Sequence, residues 1–374
     1  MMLIRRVSRL VQSRSWKGVR YRSLHSSDSA IRRVTAVDEA HDMIDVQYFR
    51  DQAFDAGKPL LMKRQRDSAS RIPAIDKWFG PMREVGVFSE ATALTSHPTE
   101  MTATKHLEAF SLVHVPYELM YPQLCEGGVG NEAVDQFIQS LESENDITTP
   151  TVEGILPSLL RHQLSLKGGD FKRGEHIEQR LLRLEAPLAL LIAALRYNSR
   201  VKQADRLRQL YIAQASLDDL PEELVNALPT PSIVEKAGKG DIYASSIWLG
   251  LEPTYTPLHR DPNPNLFIQL CSSKTIRLLP PSQGDSIFHH VQLMLGRHGG
   301  NSRIRGTEMM EGPERTLLYK AIWEEPDISL KEVAIHEVDL KPGDALFIPK
   351  GWWHSVKSGV DDGRLNGSVN WWFR

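Results

Sequence analysis

The chain has 374 residues, of which 41% are hydrophobic and 25% are charged, with 45 basic and 47 acidic side chains. These proportions are ordinary for a globular protein and allow one large domain or two medium ones. The two cysteines exclude a disulfide framework and a cysteine-rich zinc site, and no apolar run approaches the roughly 18 to 20 residues of a membrane span.

The first 37 residues differ from the rest of the chain in charge. They carry nine basic residues against a single acid, Asp28, and they contain seven serines. Apolar residues between Leu3 and Val11 recur at helical spacing, which predicts an amphipathic helix with arginines on its other face. An arginine-rich, serine-rich and acid-poor composition is typical of mitochondrial transit peptides. We therefore predict a targeting segment over residues 1–37 and a location in the mitochondrial matrix, with the cytoplasm or nucleus as the alternative.

A disordered basic tail that binds nucleic acid is the other interpretation of this segment. Beyond residue 37 the chain carries 36 basic and 46 acidic residues. Such an acidic body is a poor general binder of phosphate backbones. Nucleic acid is therefore a disfavoured but open alternative as a partner.

Short elements follow this segment. The pattern predicts a helix over residues 46–54, a strand over 58–63 and a second helix over 74–79. The strand follows Gly57 and contains Pro59. We assign residues 38–130 to the N-terminal part of the domain that follows.

Residues 131–210 are predicted to be helical. One apolar face runs from Val134 to Leu141 at helical spacing. A second stripe, interrupted or kinked at Pro187, predicts another helix. It consists of Ile177, Leu181, Leu184, Leu188, Leu191, Ile192 and Leu195. Both stripes indicate packing, and the basic residues between Arg196 and Arg208 indicate a solvated face.

A pair of histidines and an aspartate form the strongest chemical pattern. His259 and Asp261 are two residues apart, so on a strand both side chains point to the same side. His354 lies 93 residues beyond Asp261, on a strand predicted over residues 352–356. Two imidazoles and one carboxylate are the ligand set of the facial triad, which holds non-haem Fe(II) and leaves positions open. Three such residues also occur together by chance, and the residues around them decide between the two interpretations.

The stretch from Tyr211 to Arg374 resembles the JmjC-type, cupin-like 2-oxoglutarate oxygenases, particularly the small hydroxylases typified by the asparaginyl hydroxylase of hypoxia-inducible factor. In that family a hydroxyl residue three before the first histidine and a lysine thirteen after the aspartate bind the distal carboxylate of 2-oxoglutarate. Those positions are Thr256 and Lys274. A dicarboxylate in a water-poor site needs a fixed cation and hydroxyl donors. Tyr211, in a Tyr-x-x-Gln segment, matches a third residue of this clamp.

Two asparagines complete the implied site. Asn370 matches a closing strand where an asparagine contacts the co-substrate near its metal-bound end, and Asn265 matches a further pocket asparagine. Either can also be an ordinary amide at a strand end. The resemblance implies a double-stranded β-helix, a jelly roll, over residues 211–374 with the helical subdomain beside it.

An insertion is predicted over residues 283–336, between the first two ligands and the third. Long connections are commonly lids or excursions, and this one is placed to cover the mouth of the barrel. His289, His290 and His298 lack a spaced acid or cysteine set, so they indicate surface rather than a second metal site. Arg260, where the family more often has tyrosine or an apolar residue, hints at an acidic or phosphate-bearing ligand.

The activity implied by the resemblance is oxidation by O2 with Fe(II) and 2-oxoglutarate, and hydroxylation of a protein or peptide side chain ranks first. Hydroxylation of an RNA base or small metabolite ranks second, and demethylation third. A catalytically inactive cupin that acts as a binding module, and a cupin that uses zinc or manganese without 2-oxoglutarate, stay open. Many relatives dimerise through helical segments, which leaves a homodimer open as well.

Overall fold

The computed structural model of the chain describes residues 31–64, 72–82, 100–122, 132–144, 152–167, 179–297, 310–324 and 333–374. Most of the predicted targeting segment, Cys125 and His298 lie outside these residues. In the part of the chain so described, no helix is both long and apolar enough to cross a lipid bilayer.

Sixteen strands occur in the described residues. In chain order they are β1 (Arg32–Arg33), β2 (Ala36–Val37), β3 (Leu60–Met62), β4 (Phe79–Pro81), β5 (Met101–Ala103), β6 (His114–Pro122), β7 (Gln179–Pro187), β8 (Leu210–Ser216), β9 (Ile242–Leu251), β10 (Tyr255–Arg260), β11 (Asn265–Cys271), β12 (Lys274–Leu279), β13 (His336–Leu340), β14 (Ala345–Ile348), β15 (Trp353–Ser358) and β16 (Leu365–Phe373).

Helices occupy the connections. They are α1 (Val46–Phe49), continued by a π-helical turn (Arg50–Phe54), α2 (Pro73–Trp78), α3 (Lys105–Glu108), α4 (Glu132–Glu144), α5 (Val152–Lys167), α6 (Ala189–Arg200), α7 (Glu222–Val225), α8 (Ser232–Lys236), α9 (Pro281–Met294) and α10 (Gly312–Trp323). The helix, strand, helix order predicted over residues 46–79 is confirmed. So is the helix with the apolar face from Val134 to Leu141.

Two sheets form the body of the molecule. The smaller has the order β1-β13-β12-β15-β10, and the larger has the order β2-β3-β14-β11-β16-β9-β8-β6-β7. Apolar residues of both sheets, such as Ile276 on β12 and Leu346 on β14, share one buried cluster between them. Two facing sheets built from antiparallel strands of distant sequence are the jelly-roll arrangement. The predicted double-stranded β-helix with added helices is confirmed.

Helices cover the outer face of each sheet. The largest core cluster joins the nine-stranded sheet to α1, α2 and α4 to α6, while α9 and α10 pack on β10 and β15 of the smaller sheet. A close contact fixes α9, because a Cβ atom added at Gly284 would lie 2.1 Å from Cγ of Trp353. Trp353 directly precedes the predicted ligand His354, so α9 supports the strand that carries it.

The predicted helix is wrong over residues 179–187. Residues 179–187 form β7, which pairs antiparallel with β6 at the edge of the nine-stranded sheet. Leu182, Leu184 and Ala186 are buried, whereas Arg183 and Glu185 between them are exposed. This period of two is the strand signal, and the wider leucine spacing concealed it. The helix begins only at Ala189, after Pro187.

The predicted insertion is more regular than expected. Residues 281–294 and 312–323 are helices that pack through Ile287, Phe288 and Leu318 against the outer face of the smaller sheet. His289 is exposed on α9, as predicted for a surface residue. The apolar pair Ile287 and Phe288, with Val291 one turn later, is the helical signal in this segment.

Candidate metal centre and adjoining cavity

Neighbouring strands of the smaller sheet bring the three predicted ligands together. His259 is on β10, Asp261 follows that strand, and β15 places His354 directly opposite His259 in the register. Nε2 of His259 lies 3.8 Å from Oδ1 of Asp261, and Nε2 of His354 lies 3.6 Å from Oδ2. One ligand atom from each residue falls within 4.8 Å of the others. Among the described residues, these two histidines and the aspartate form a group that can hold a metal ion.

Backbone carbonyls orient both imidazoles. Nδ1 of His259 donates to the carbonyl of Pro257 at 2.8 Å, and Nδ1 of His354 donates to that of Trp352 at 3.4 Å. A proton held on Nδ1 leaves the lone pair of Nε2 available, which is how metal-binding histidines are usually oriented. Both Nε2 atoms face the Asp261 carboxylate.

The protonation states suit a divalent cation. Burial lowers the pKa of His259 to about 4, with a further contribution from the charge of His354. Burial opposes ionisation of Asp261, but the two histidines and hydrogen bonds from Trp372 and Asn265 outweigh it, so its pKa lies below the usual range. At neutral pH the site therefore offers neutral imidazole and ionised carboxylate, the forms that bind metal.

Strands of the larger sheet hold the aspartate in place. The indole Nε1 of Trp372 donates to Oδ2 of Asp261 at 2.7 Å, and Nδ2 of Asn265 donates to the same oxygen at 2.9 Å. Nδ2 of Asn370 donates in turn to Oδ1 of Asn265 at 2.8 Å. The two predicted asparagines thus form a relay to the carboxylate, and the buried amide oxygen of Asn370 has no hydrogen-bond partner.

Sequence reasoning missed Trp372, although the spacing contained a signal. Ser368, Asn370 and Trp372 alternate along β16, so they share one face of the strand. All three have hydrogen bonds at the site.

A cavity of about 270 Å³ contains the triad. Its wall includes every site residue predicted from the sequence, which are Tyr211, Thr256, His259, Asp261, Asn265, Lys274, His354 and Asn370. A β-bulge between Thr256 and His259 makes this possible. In a regular strand two residues three apart point to opposite faces, and the bulge turns both toward the cavity.

Lys274 is the buried cation of this cavity. Its side chain is 3% exposed, and Nζ donates to the hydroxyl of Tyr211 at 2.9 Å and to that of Ser368 at 2.8 Å. Burial lowers the pKa of Lys274 to about 7. An ammonium has three donors, so one remains for a ligand in the cavity. Ser368 is a second site residue that sequence reasoning missed.

The residues present fit Fe(II) and a dicarboxylate. Two imidazole nitrogens and one carboxylate are the donor set of the facial triad. A buried lysine whose described hydrogen-bond partners are two neutral hydroxyls is costly without an anion. The unpartnered amide oxygen of Asn370 is a further polar atom left for a bound group.

Arg260 has a structural role that the sequence did not indicate. Its Nη1 lies 3.1 Å from Oδ1 of Asp285 on α9, and its guanidinium lies 5.4 Å from the ring centroid of Trp353. An acid of the same chain therefore matches its charge. The expected acidic ligand is not needed to explain this arginine.

Comparisons with known proteins agree with this geometry. The family model described as "Cupin-like domain" matches residues 123–374, more than half of the chain. The chain is 33% identical over 165 residues to the protein named lysine-specific demethylase 8 of Danio rerio, covering 44% of this chain and 36% of that protein. It is 28% identical over 174 residues to lysine-specific demethylase JMJ30 of Arabidopsis thaliana, covering 46% and 36%.

A third relative is the Jumonji C domain-containing protein 5 of Drosophila melanogaster, 32% identical over 155 residues, covering 40% of this chain and 33% of that protein. The matched region thus spans about a third of the length of each relative. A family match over more than half of the chain, the jelly roll and the triad at its expected positions lead to one conclusion. The chain belongs to the cupin-like domain family.

Proposed function

We propose that this protein is an Fe(II)- and 2-oxoglutarate-dependent oxygenase that hydroxylates a side chain of a protein or peptide. The observation that carries the proposal is one cavity that holds both the triad and the buried Lys274. A site that binds only a metal needs the triad and no more. A site that also binds a dicarboxylate co-substrate needs the lysine in addition. A cupin that uses zinc or manganese without 2-oxoglutarate has no use for Lys274.

His259, Asp261 and His354 would hold Fe(II), which when bound supplies activation of O2 coupled to oxidation of 2-oxoglutarate. The Pro257 and Trp352 carbonyls keep the imidazoles oriented, and Trp372 and Asn265 keep the carboxylate in place.

Around the metal ligands, Lys274, Tyr211 and Thr256 would bind the far carboxylate of the co-substrate. Phe267 lines the same wall, with its ring 5.3 Å from Nζ of Lys274. Apolar walls of this kind exclude water and so strengthen the charge interaction with the co-substrate.

Succinate formation tests the proposal. The protein is loaded with Fe(II) without oxygen, and succinate from 2-oxoglutarate is measured after air is admitted, with and without cell extract. We expect turnover that rises with extract and falls at least about 100-fold in His259→Ala, because a ligand is lost. His289→Ala, which removes an exposed histidine of α9, is the matched control. Absence of succinate from the native protein, or equal turnover in His259→Ala, contradicts the proposal.

Demethylation is the second candidate, because two of the relatives are named lysine-specific demethylases. Hydroxylation of an N-methyl group expels formaldehyde, so the same site serves both reactions. Mass spectrometry of the modified peptide separates them. A gain of one oxygen atom supports hydroxylation, whereas loss of a methyl group with one formaldehyde per succinate supports demethylation. If RNA or a small metabolite is modified and the peptide is not, the result supports hydroxylation of an RNA base or of a metabolite instead.

We also propose a mitochondrial location, which rests on the basic, acid-poor composition before residue 31. A reporter fused to residues 1–45 is expected in mitochondria, and replacement of Arg5, Arg6 and Arg9 by glutamine is expected to abolish import. Residues 32–37 contain β1 and β2, which pair with β13 and β3. A leader that ends before Arg32 would leave both strands in the processed protein.

A further inference from the structure

A second cavity of about 750 Å³ adjoins the one that contains the triad. Residues that line both cavities are Tyr211, Gln214, Ala244, Trp248 and Thr256. The outer cavity is bounded by β6 to β9 of the larger sheet, by β10, by Arg315 in the first turn of α10 and by Met310 just before that helix. Its size is that of a ligand site, and the shared residues connect it to the cavity that contains the triad.

Arg315 is the unusual residue of this outer cavity. Its guanidinium carbon lies 4.5 Å from the ring centroid of Tyr255, and Nη1 is buried without a hydrogen-bond partner. Burial lowers the pKa of Arg315, even though Tyr255 and Glu118 favour its charged form. An arginine stays protonated in proteins, so it cannot relieve this cost by losing its proton.

The nearby acid does not neutralise Arg315, because it is engaged elsewhere. Glu118 on β6 accepts from Nε of Arg183 at 2.9 Å, and Nη2 of Arg183 lies 2.8 Å from the same oxygen. Glu118 is thus paired with Arg183, and Glu185, the other acid that lines the cavity, is not among the groups that favour the charge of Arg315. Arg315 lines the cavity, is partly buried and has a donor without a hydrogen-bond partner, a combination that is complementary to an anion.

A second unpartnered donor lies between Arg315 and the metal centre. Nε1 of Trp248 is buried and has no hydrogen-bond partner, and Trp248 lines both cavities. Its ring lies against Tyr211, with 6.1 Å between centroids, and Tyr211 also contacts Lys274. The two donors without a partner thus belong to a residue that lines the outer cavity, Arg315, and to one that lines both cavities, Trp248.

We propose that Arg315 binds an anionic group of the substrate, a carboxylate or a phosphate, and so positions an acidic peptide for reaction at the triad. This inference rests on the proposed oxygenase function and specifies its substrate class. The guanidinium presents a planar pair of donors that matches the two oxygens of either anion. Trp248 would donate to a neutral oxygen of the same substrate closer to the metal.

Peptide binding tests the proposal without requiring turnover. The probes are three pools of capped, fluorescently labelled heptapeptides, which carry glutamate, phosphoserine or glutamine at one scanned position among neutral residues. Affinity for the metal-loaded protein is measured by anisotropy under argon. We expect binding of the glutamate or phosphoserine pool about 10- to 100-fold tighter than the glutamine pool. The stronger of the two acidic pools identifies the anion.

Two substitutions at Arg315 and one matched control define the site. Arg315→Gln is expected to remove the preference for the acidic pool, and Arg315→Lys is expected to restore part of it, since a lysine keeps the charge without the planar fork. Arg161→Gln removes an exposed arginine of α5 that pairs with Glu142 outside the cavity, and it should bind as the native protein does.

Two results would overturn the proposal. One is native protein that binds no acidic pool better than the glutamine pool, and the other is Arg315→Gln that keeps the preference. Urea unfolding tests whether Arg315 has a structural role. Because the described residues give this partly buried cation no direct anionic partner, Arg315→Gln should be at least as stable as the native protein. A lower unfolding midpoint with unchanged peptide preference assigns Arg315 to stability alone. Failure of the oxygenase function appears separately, as absence of succinate in the native protein.

Discussion

At the residue scale, the site depends on polar side chains whose partners come from the opposite sheet. Lys274 on β12 donates to Tyr211 on β8 and to Ser368 on β16. Asp261, after β10, accepts from Asn265 on β11 and Trp372 on β16. Hydrogen bonds that cross the space between the two sheets thus hold both charged groups in the wall of the cavity.

The pKa of Lys274 predicts a pH-dependent affinity for 2-oxoglutarate. Burial lowers this pKa to about 7, so the amine of the ligand-free protein is mostly neutral above that pH. A bound carboxylate favours the ammonium and raises the pKa again, so binding takes up a proton above pH 7. Affinity should fall by up to about tenfold per pH unit as pH rises through this range.

Calorimetry under argon in two buffers of different ionisation enthalpy measures both the affinity and the proton uptake. Lys274→Arg keeps a positive charge at all these pH values, and it should abolish the pH dependence. The same depressed pKa gives a stability effect of definite sign. The free energy of unfolding of the ligand-free protein falls as pH decreases from 10.5 toward 7, because the unfolded lysine binds the proton first. A pH-independent affinity in the native protein contradicts this account.

Trp372→Phe should weaken metal binding while it leaves the fold intact. The substitution keeps an aromatic ring and removes the indole donor 2.7 Å from Oδ2 of Asp261. Loss of such an outer partner typically reduces metal affinity about 10- to 100-fold. Titration with Mn(II), followed by paramagnetic relaxation, measures the change. Trp352→Phe keeps the backbone carbonyl that orients His354 and removes only an indole donor that contacts the Gly57 carbonyl, so it should bind metal normally.

At the element scale, irregular strands determine which side chains reach the site. The bulge in β10 directs both Thr256 and His259 into the cavity, and a second irregularity in β8 follows Ile212. Gln214, next to that irregularity, has a φ of 57°, in the left-handed region that non-glycine residues seldom adopt. Gln214 lines both cavities, so this backbone conformation places an amide at their junction.

The two short N-terminal strands predict where the chain tolerates truncation. β1 pairs in parallel with β13, β2 pairs in parallel with β3, and Val34 between them is buried in the cluster that joins the sheets. Removal of residues 1–30 should leave the urea midpoint within error of that of the full chain. Removal of residues 1–37 exposes Leu61 and Val338, and it should cost about 2 kcal/mol or more of unfolding free energy. Equal midpoints for the two truncations would show that these strands contribute nothing.

At the scale of the whole molecule, ligands from two strands converge on one point. His259 and His354 come from segments almost a hundred residues apart, and their ring centroids are 4.1 Å apart. The unfolded chain does not hold these groups together, so a metal binds the folded state preferentially and stabilises it.

Metal loading should therefore raise the melting temperature. At a free concentration 100 times Kd the stabilisation is about 2.7 kcal/mol. With about 2.1 cal/mol/K of unfolding entropy per residue, that corresponds to an increase of roughly 3 to 5 °C for a chain of 374 residues. Differential scanning fluorimetry with Mn(II), reversed by a chelator, measures it. His259→Ala should show no shift, whereas a shift that persists in this variant would place the ion elsewhere.

Much of the candidate site could be predicted from the sequence, because its residues lie at fixed offsets along strands. The spacing of His259 and Asp261 on one strand, and of Lys274 after them, follows from local geometry together with a family resemblance. The alternation of buried residues in β7 was also present in the sequence, but a regular leucine spacing concealed it. Outside such local patterns the sequence indicated less. It predicted an insertion over residues 283–336 but not the two helices within it.

By itself the sequence placed His259 and Asp261 on one strand face, because side chains alternate with a period of two, and its resemblance to a known family implied the jelly roll, the third ligand and the lysine. Only the tertiary structure decided that Trp372 holds Asp261, that Arg260 pairs with Asp285, and that Arg315 lines the outer cavity without a hydrogen-bond partner for Nη1. These relations join residues 25 to 111 positions apart. Strand order, bulges and helix docking bring them together, and none of these is encoded in the spacing of neighbouring residues.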